Sequence, residues 1–274
     1  MTSRRPGGIP AGLCLGIDPH APLLTAWGLP DTADGAREFG LRSVEAAVDV
    51  VAVVKPQVAF FERFGAAGYQ ALETVLAAAR AAGLWTIADG KRGDIGSTVA
   101  GYAAAWLLPG SPLEADAATF VAYQGTGSLE PAFQLAEAHG KQCFVLAATS
   151  NPEAAELQRA RTASGMSVAA EILGDVQSRN DGLEVDAARH GVVIGATIDA
   201  EHFGLDLAAA PTTPILAPGF GAQGARLREL RARYGVATDR VIANVARDAL
   251  RAGPDGLRAR LIELRDECAT GVAA

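Results

Sequence analysis

The residues of this chain best suited to chemistry lie in one short run, Ile87-Ala88-Asp89-Gly90-Lys91-Arg92-Gly93-Asp94-Ile95-Gly96-Ser97-Thr98. An extended strand alternates its side chains, so Ile87, Asp89 and Lys91 share a face and the carboxylate and ammonium emerge together. A carboxylate beside an amine favours its charged form and aims it, which suits proton donation or the stabilisation of developing negative charge. Gly93 then allows a tight turn, and Asp94 begins the next helix, where its charge suits the positive end of the dipole. The same spacing also fits a structural ion pair followed by a helix cap.

Further polar residues stand at the ends of apolar runs: Asp18, Lys55 with Gln57, Ser150 and Arg247. A glycine-rich stretch, Pro218-Gly219-Phe220-Gly221-Ala222-Gln223-Gly224, has the composition of a loop that lets backbone approach a phosphate ahead of a helix. Each has an ordinary alternative, since Asp-Pro starts turns, Ser-Asn-Pro bends loops and glycine-rich connections are common. The histidines His20, His139, His190 and His202 lack metal-ligand spacing and read as structural.

The elements that must hold these residues follow a repeated βα pattern. Eight candidate strands run Leu13–Pro19, Ala52–Phe60, Trp85–Lys91, Glu114–Phe120, Cys143–Thr149, Gly191–Thr197, Pro214–Gly219 and Arg240–Ala246. Helical stretches between them include Ala66–Ala82, Thr98–Leu108, Gly127–Ala138, Ser167–Ser178, Gly224–Tyr234 and Leu257–Ala269. No linker interrupts the alternation, so residues 1–274 are expected to form a single (β/α)8 TIM-barrel domain with a short flexible N-terminal extension. In such a barrel catalytic groups project from the C-terminal strand ends, where the polar residues above fall.

The 274 residues, 49% hydrophobic and 20% charged, suffice for a large core. A formal net charge of −7 argues against a nucleic-acid or anionic-membrane surface, although a local basic site for a small anion remains compatible. Cys14, Cys143 and Cys268 are far apart, show no metal spacing and read as reduced. With no signal-peptide core after the first residues and no bilayer-length apolar run, a cytoplasmic protein is expected.

The pattern Asp89-x-Lys91-x-x-Asp94-Ile95-x-x-Thr98 resembles the signature of orotidine 5′-phosphate decarboxylases. Leu15-Gly16-Ile17-Asp18-Pro19-His20, Val54-Lys55-Pro56-Gln57 through Phe61-Glu62, Thr149-Ser150-Asn151-Pro152 and the Pro218–Gly224 stretch resemble other segments of that family, in order along nearly the whole chain. The length and the Asp18 and Lys91 segments look most like the long bacterial, mycobacterial-type subgroup. One departure is Asn244-Val245-Ala246-Arg247, where the family is Ser- or Gly-rich before the arginine.

The resemblance implies conversion of orotidine monophosphate to uridine monophosphate and carbon dioxide in de novo pyrimidine biosynthesis, without metal or other cofactor. It implies that Lys91 lies beside C6, stabilises negative charge there and donates the proton. Asp89 and Asp94 would raise its pKa, and Lys55 would balance the carboxylates and contact ribose. Asp18 is implied at the ribose hydroxyls, Ser150 at the pyrimidine edge, and the loop opened by Pro218, with Gln223 and Arg247, at the phosphate. Asp94, Ile95 and Thr98 would enter a neighbouring subunit's site, making a homodimer with shared active sites.

Three rivals share parts of the pattern. A sugar-phosphate decarboxylase or aldolase of the same superfamily uses magnesium. A Schiff-base role for Lys91 needs a depressed pKa that two aspartates oppose. A catalytically silent phosphate-ligand sensor would keep the scaffold without the chemistry.

Overall fold

A computed structural model describes residues 8–274 of the chain; the expected N-terminal extension falls on residues 1–7, outside the described residues. Eight parallel strands close one barrel in sequence order: β1 (Gly12–Ile17), β2 (Val53–Pro56), β3 (Trp85–Arg92), β4 (Ala117–Phe120), β5 (Gln142–Ala148), β6 (Gly191–Ile194), β7 (Ile215–Pro218) and β8 (Val241–Val245). Each expected strand is present.

The strands are shorter than their apolar runs suggest where another interaction takes over the backbone. The second ends at Pro56 rather than Phe60; Gln57 N still donates to Ile17 O at 3.1 Å, but Ala59–Glu62 turn into a short helix. The fourth begins at Ala117 rather than Glu114, because Glu114 accepts from Gly110 N at 2.9 Å and from Lys141 Nζ at 2.7 Å in the preceding turn.

Alternation along the strands sorts the core into two bodies. Outward residues such as Leu15, Val54, Ala88, Val145, Ile215 and Val245 pack under the helices. Inward residues Cys14, Val53, Ile87, Ala117, Phe144, Val193, Leu216 and Ile242, one per strand, fill the barrel axis with Ile9. This plug matters for the site because charges set on a dry, low-dielectric floor interact more strongly than charges in water.

The helix Ala33–Ala47, capped by Thr32 Oγ1 on Gly35 N at 3.2 Å, and the helix Gly65–Ala81 pack against each other on the outside. The expected helix from Gly224 starts later, as a 3-10 turn at Leu227–Glu229 leading into Leu230–Tyr234. Residues before it close a compact loop in which Gly221 N donates to Ala225 O at 2.8 Å. The helix after β3 starts at Gly96 with Ile95 as its N-cap, so Asp94 precedes the cap position rather than beginning the helix.

Candidate active site

Two residues above the apolar plug, the inward positions turn polar over part of the barrel. Lys55 on β2, Asp89 on β3 and Thr119 on β4 form this rim, with Asn244 on β8. Asp89 is central. Lys55 Nζ lies 2.5 Å from its Oδ2, Lys91 Nζ 2.6 Å from its Oδ1, and Thr119 Oγ1 donates to Oδ1 at 2.9 Å. Gln57 accepts from Lys91 Nζ at 3.3 Å and donates to the Asp89 carbonyl at 3.3 Å.

Asp89 and Lys91 do meet, but not by simple alternation. Between Ala88 and Arg92 the register of β3 against β4 shifts, so that Ala88 pairs with Ala118 and Arg92 with Phe120. Lys91 has φ +47, a left-handed conformation uncommon for a residue with a Cβ. Thr119 holds it there, its Oγ1 accepting from Lys91 N at 2.9 Å. Gly93 serves clearance rather than a left-handed turn, since a Cβ there would stand 2.2 Å from Val121 O.

The charges settle as a coupled unit. Burial disfavours the Asp89 carboxylate, yet Lys55 and Lys91 outweigh it and hold the group well below the usual carboxylate range. Burial likewise pulls the Lys55 ammonium down, but Asp89 and Asp18 outweigh it and the net shift is upward. For Lys91 the balance goes the other way: burial first, and repulsion from Lys55, leave its pKa below the ordinary lysine value despite Asp89. The expected rise from two flanking aspartates does not occur within one chain, because Asp94 makes no contact with Lys91; its Oδ1 accepts from Ile95 N at 2.8 Å.

A cavity of about 430 Å³ opens over this array. Asp18, Lys55, Asp89, Lys91, Ser150, Pro218, Gln223 and Arg247 all line it, so eight sequence-predicted site residues from six barrel units converge. Ser150 Oγ donates to Gln223 Oε1 at 2.9 Å, joining the loops after β5 and β7 across its mouth. Arg247 is exposed and makes no side-chain ion pair or hydrogen bond among the described residues, which leaves a guanidinium available to an anion. Asp18 Oδ1 is sealed from solvent without a hydrogen-bond partner, and burial pushes that carboxyl's pKa up.

Asp94, Ile95 and Thr98 do not line the cavity of their own chain, and Ile95 is 60% exposed. Thr119 went unpredicted; the signal for it was a lone hydroxyl in Ala117-Ala118-Thr119-Phe120, an otherwise apolar strand. Asn244, noted in the sequence only as a departure, also lines the cavity. Among the described residues no group of three or more His, Cys, Asp or Glu converges as metal ligands, and no helix is long and apolar enough to cross a membrane.

The family described as orotidine 5′-phosphate decarboxylase / HUMPS matches residues 12–262. A Corynebacterium glutamicum protein named orotidine 5′-phosphate decarboxylase is 49% identical over 245 residues, covering 89% of this chain and 87% of its own. A Streptomyces coelicolor protein of the same name is 47% identical over 265 residues, covering 96% and 94%. A crystal structure from Streptomyces avermitilis, given as a candidate orotidine 5′-phosphate decarboxylase, superposes with a TM-score of 0.91 at 47% identity over 97% of this chain and 92% of that one. With a match that spans most of its length and relatives that share nearly half its residues, this chain belongs to the orotidine 5′-phosphate decarboxylase / HUMPS family.

Proposed function

We propose that the chain decarboxylates orotidine 5′-phosphate to uridine 5′-phosphate and carbon dioxide, a step of pyrimidine biosynthesis, with Lys91 as the proton donor to C6. The observation that carries this reading is the Lys91 ammonium, held 2.6 Å from Asp89 Oδ1 at the floor of a cavity whose rim bears Ser150, Gln223 and Arg247. At about 430 Å³ the cavity falls within the roughly 300–1,000 Å³ typical of small-molecule sites.

Cleavage of the C6–carboxylate bond leaves its electron pair on C6, in the plane of the ring, where the π system cannot spread it. A fixed cation beside that carbon stabilises the pair. Lys91 then gives one proton to C6, becomes a neutral amine and regains a proton from water. Asp89 keeps it charged at neutral pH and aims it. Lys55 keeps Asp89 ionised and prevents a lone carboxylate from facing the substrate.

One ion pair at 4 Å contributes about 4 kcal/mol at an effective dielectric of 20, whereas the enzymatic accelerations at the upper end of the usual range need about 23 kcal/mol. Lys91 therefore acts with binding energy gathered elsewhere on the substrate. The Asp18 carboxylate accepts from ribose, Ser150 reads the pyrimidine edge, and Gln223, Arg247 and the loop opened by Pro218 bind phosphate. Closure of that loop over the nucleotide excludes water from the charges.

A homodimer follows from the same reading. Ile95 and Thr98, which are exposed, and the half-buried Asp94, all three outside their own chain's cavity, complete the site of a twofold-related partner. There Asp94 supplies the second carboxylate that one chain lacks, drawing the Lys91 pKa back up. Three free, buried cysteines fit a reducing, cytoplasmic setting.

The deciding experiment is incubation of purified protein with orotidine 5′-phosphate in excess chelator, following loss of the orotate absorbance. Turnover by wild type and none by Lys91→Ala supports the reading. Activity confined to a keto-sugar phosphate with added magnesium overturns it.

A further inference from the structure

The polar layer above the barrel plug continues past Gly16 on β1 to Asn244 on β8, beside the register pair Cys14↔Asn244. Asn244 is 6% exposed and lines the cavity. A carboxamide in such a place has little access to water, so its retention calls for partners. One prong has them. The Cys14 thiol donates to Asn244 Oδ1 at 3.6 Å, and burial pushes that thiol's pKa up to about 12, so it keeps its proton.

Gly16 makes the room. A Cβ there would stand 3.2 Å from Asn244 Oδ1 and 2.9 Å from Ala246 Cβ. The other prong, Nδ2, has no acceptor among the described residues, and it is not sealed away. The sealed, unpartnered side-chain oxygen in this region is Asp18 Oδ1, two residues beyond Gly16 on the same inward-facing row. The unmatched Asn244 donor thus borders the same cavity as the Asp18 carboxylate, whose Oδ1 has no partner within the chain.

We infer that Asn244 is a substrate-binding residue whose Nδ2 donates to a hydroxyl of the substrate's sugar, with Cys14 as the positioning residue that keeps the carboxamide turned toward it. The inference rests on the nucleotide reading of the cavity and names an additional contact within it. A sugar hydroxyl has one proton to give and two lone pairs to be satisfied. Asp18, an acceptor only, takes the proton of a sugar hydroxyl; a donor must then meet the oxygen of that hydroxyl or of its neighbour. Asn244 supplies a neutral one, which recognises the hydroxyl without adding charge beside Lys55, Asp89 and Lys91.

The test compares wild type, Asn244→Ala and Asn244→Leu on orotidine 5′-phosphate and on its 2′-deoxy and 3′-deoxy counterparts. With orotidine 5′-phosphate, kcat/KM falls about tenfold in the variants, mainly through KM, the size of one neutral hydrogen bond. On the deoxy nucleotide that lacks the contacted hydroxyl, wild type and variants differ by less than about twofold. Cys14→Ala loses about threefold on orotidine 5′-phosphate, and Cys14→Ser, whose hydroxyl donates to the same oxygen, recovers part of that loss. Binding of uridine 5′-phosphate and its deoxy counterparts, measured by calorimetry, gives the same pattern without turnover. Asn244→Leu fills the volume if Asn244→Ala fails to fold.

Equal losses on all three nucleotides, or none on any, overturn the assignment of Asn244 while leaving the proposed activity intact. A wild-type protein inert toward orotidine 5′-phosphate overturns the nucleotide reading and this inference with it.

Discussion

Lys91 Nζ stands 2.6 Å from Asp89 Oδ1 although one residue separates them along β3, and the contact depends on a left-handed backbone at Lys91, φ +47. Such a conformation costs on the order of 1–3 kcal/mol and persists where surrounding structure over-determines it. Thr119 does that here, accepting from Lys91 N and donating to Asp89 Oδ1. Backbone shape and charge pairing are therefore one device, and substitutions in it have separable effects on chemistry and stability.

Lys91→Ala is expected to lower kcat by at least roughly a thousandfold, within the range for loss of a positioned proton donor. Its folding stability should change little, because Asp89 keeps its bond to the more deeply buried Lys55, which is 3% exposed. Turnover assays and urea unfolding on the same preparation check both halves.

Asp89→Asn acts on stability as well. It leaves the buried Lys55 ammonium without its counter-charge, at a cost of about 3–5 kcal/mol. The Asp89 carboxylate, lowered when folded, contributes stability that is full above the unfolded carboxylate value and lost as pH falls through the folded one. Acid unfolding of wild type should show this component and Asp89→Asn should lack it.

The pH–rate profile reports Lys91 and the partner subunit together. In a single chain the Lys91 pKa is below the ordinary 10.5, so the required ammonium is lost, and activity falls, at a pH below that value. If Asp94 of a second subunit restores charge balance, Asp94→Asn moves the alkaline limb further down. Mixing Lys91→Ala and Asp94→Ala proteins should recover part of the activity in heterodimers. No recovery despite demonstrated subunit exchange would count against shared sites.

At the opposite end of the barrel His190 is fully buried, its Nδ1 accepting from Cys143 N at 3.1 Å and its Nε2 3.0 Å from Glu137 Oε1. Burial lowers its pKa from 6.5 to about 4. The unfolded chain takes up a proton first as pH falls, so stability drops by about 3 kcal/mol between pH 6.5 and about 4. His190→Gln should be less stable at pH 7 and respond less to acid across that window, as read by urea melts.

In the loop after β7, Gly221 has φ +76, and a Cβ there would come within 2.5 Å of Asp248 Cβ. Gly221→Ala should therefore distort the loop assigned to phosphate. A KM for orotidine 5′-phosphate raised at least about tenfold, with little change for orotidine itself, is the expected signature. An equal effect on both substrates would place the defect elsewhere.

Gln223 came from a glycine-rich loop and a family resemblance, whereas Asp18, Lys55, Asp89, Lys91, Ser150 and Arg247 were legible as candidates because each is a polar group at the end of an apolar run. That local rule also yielded eight strands and the closed parallel barrel. Thr119 escaped it, since its significance lies in bonding to a neighbouring strand whose register no single segment encodes. The sign of the Lys91 shift escaped as well: the sequence counts two aspartates near it, but burial and Lys55 decide the balance, and both are properties of the assembled interior.

The sequence by itself determined the alternating elements, the barrel and the roster of charged residues at its mouth, because these follow from periodicity and residue type along a few positions. Tertiary structure alone decided the register shift that brings Lys91 onto Asp89, the separation of Asp94 from that pair, and the clearance at Gly16 beneath Asn244. Those depend on distances between residues far apart in the chain, which close packing sets and local pattern does not.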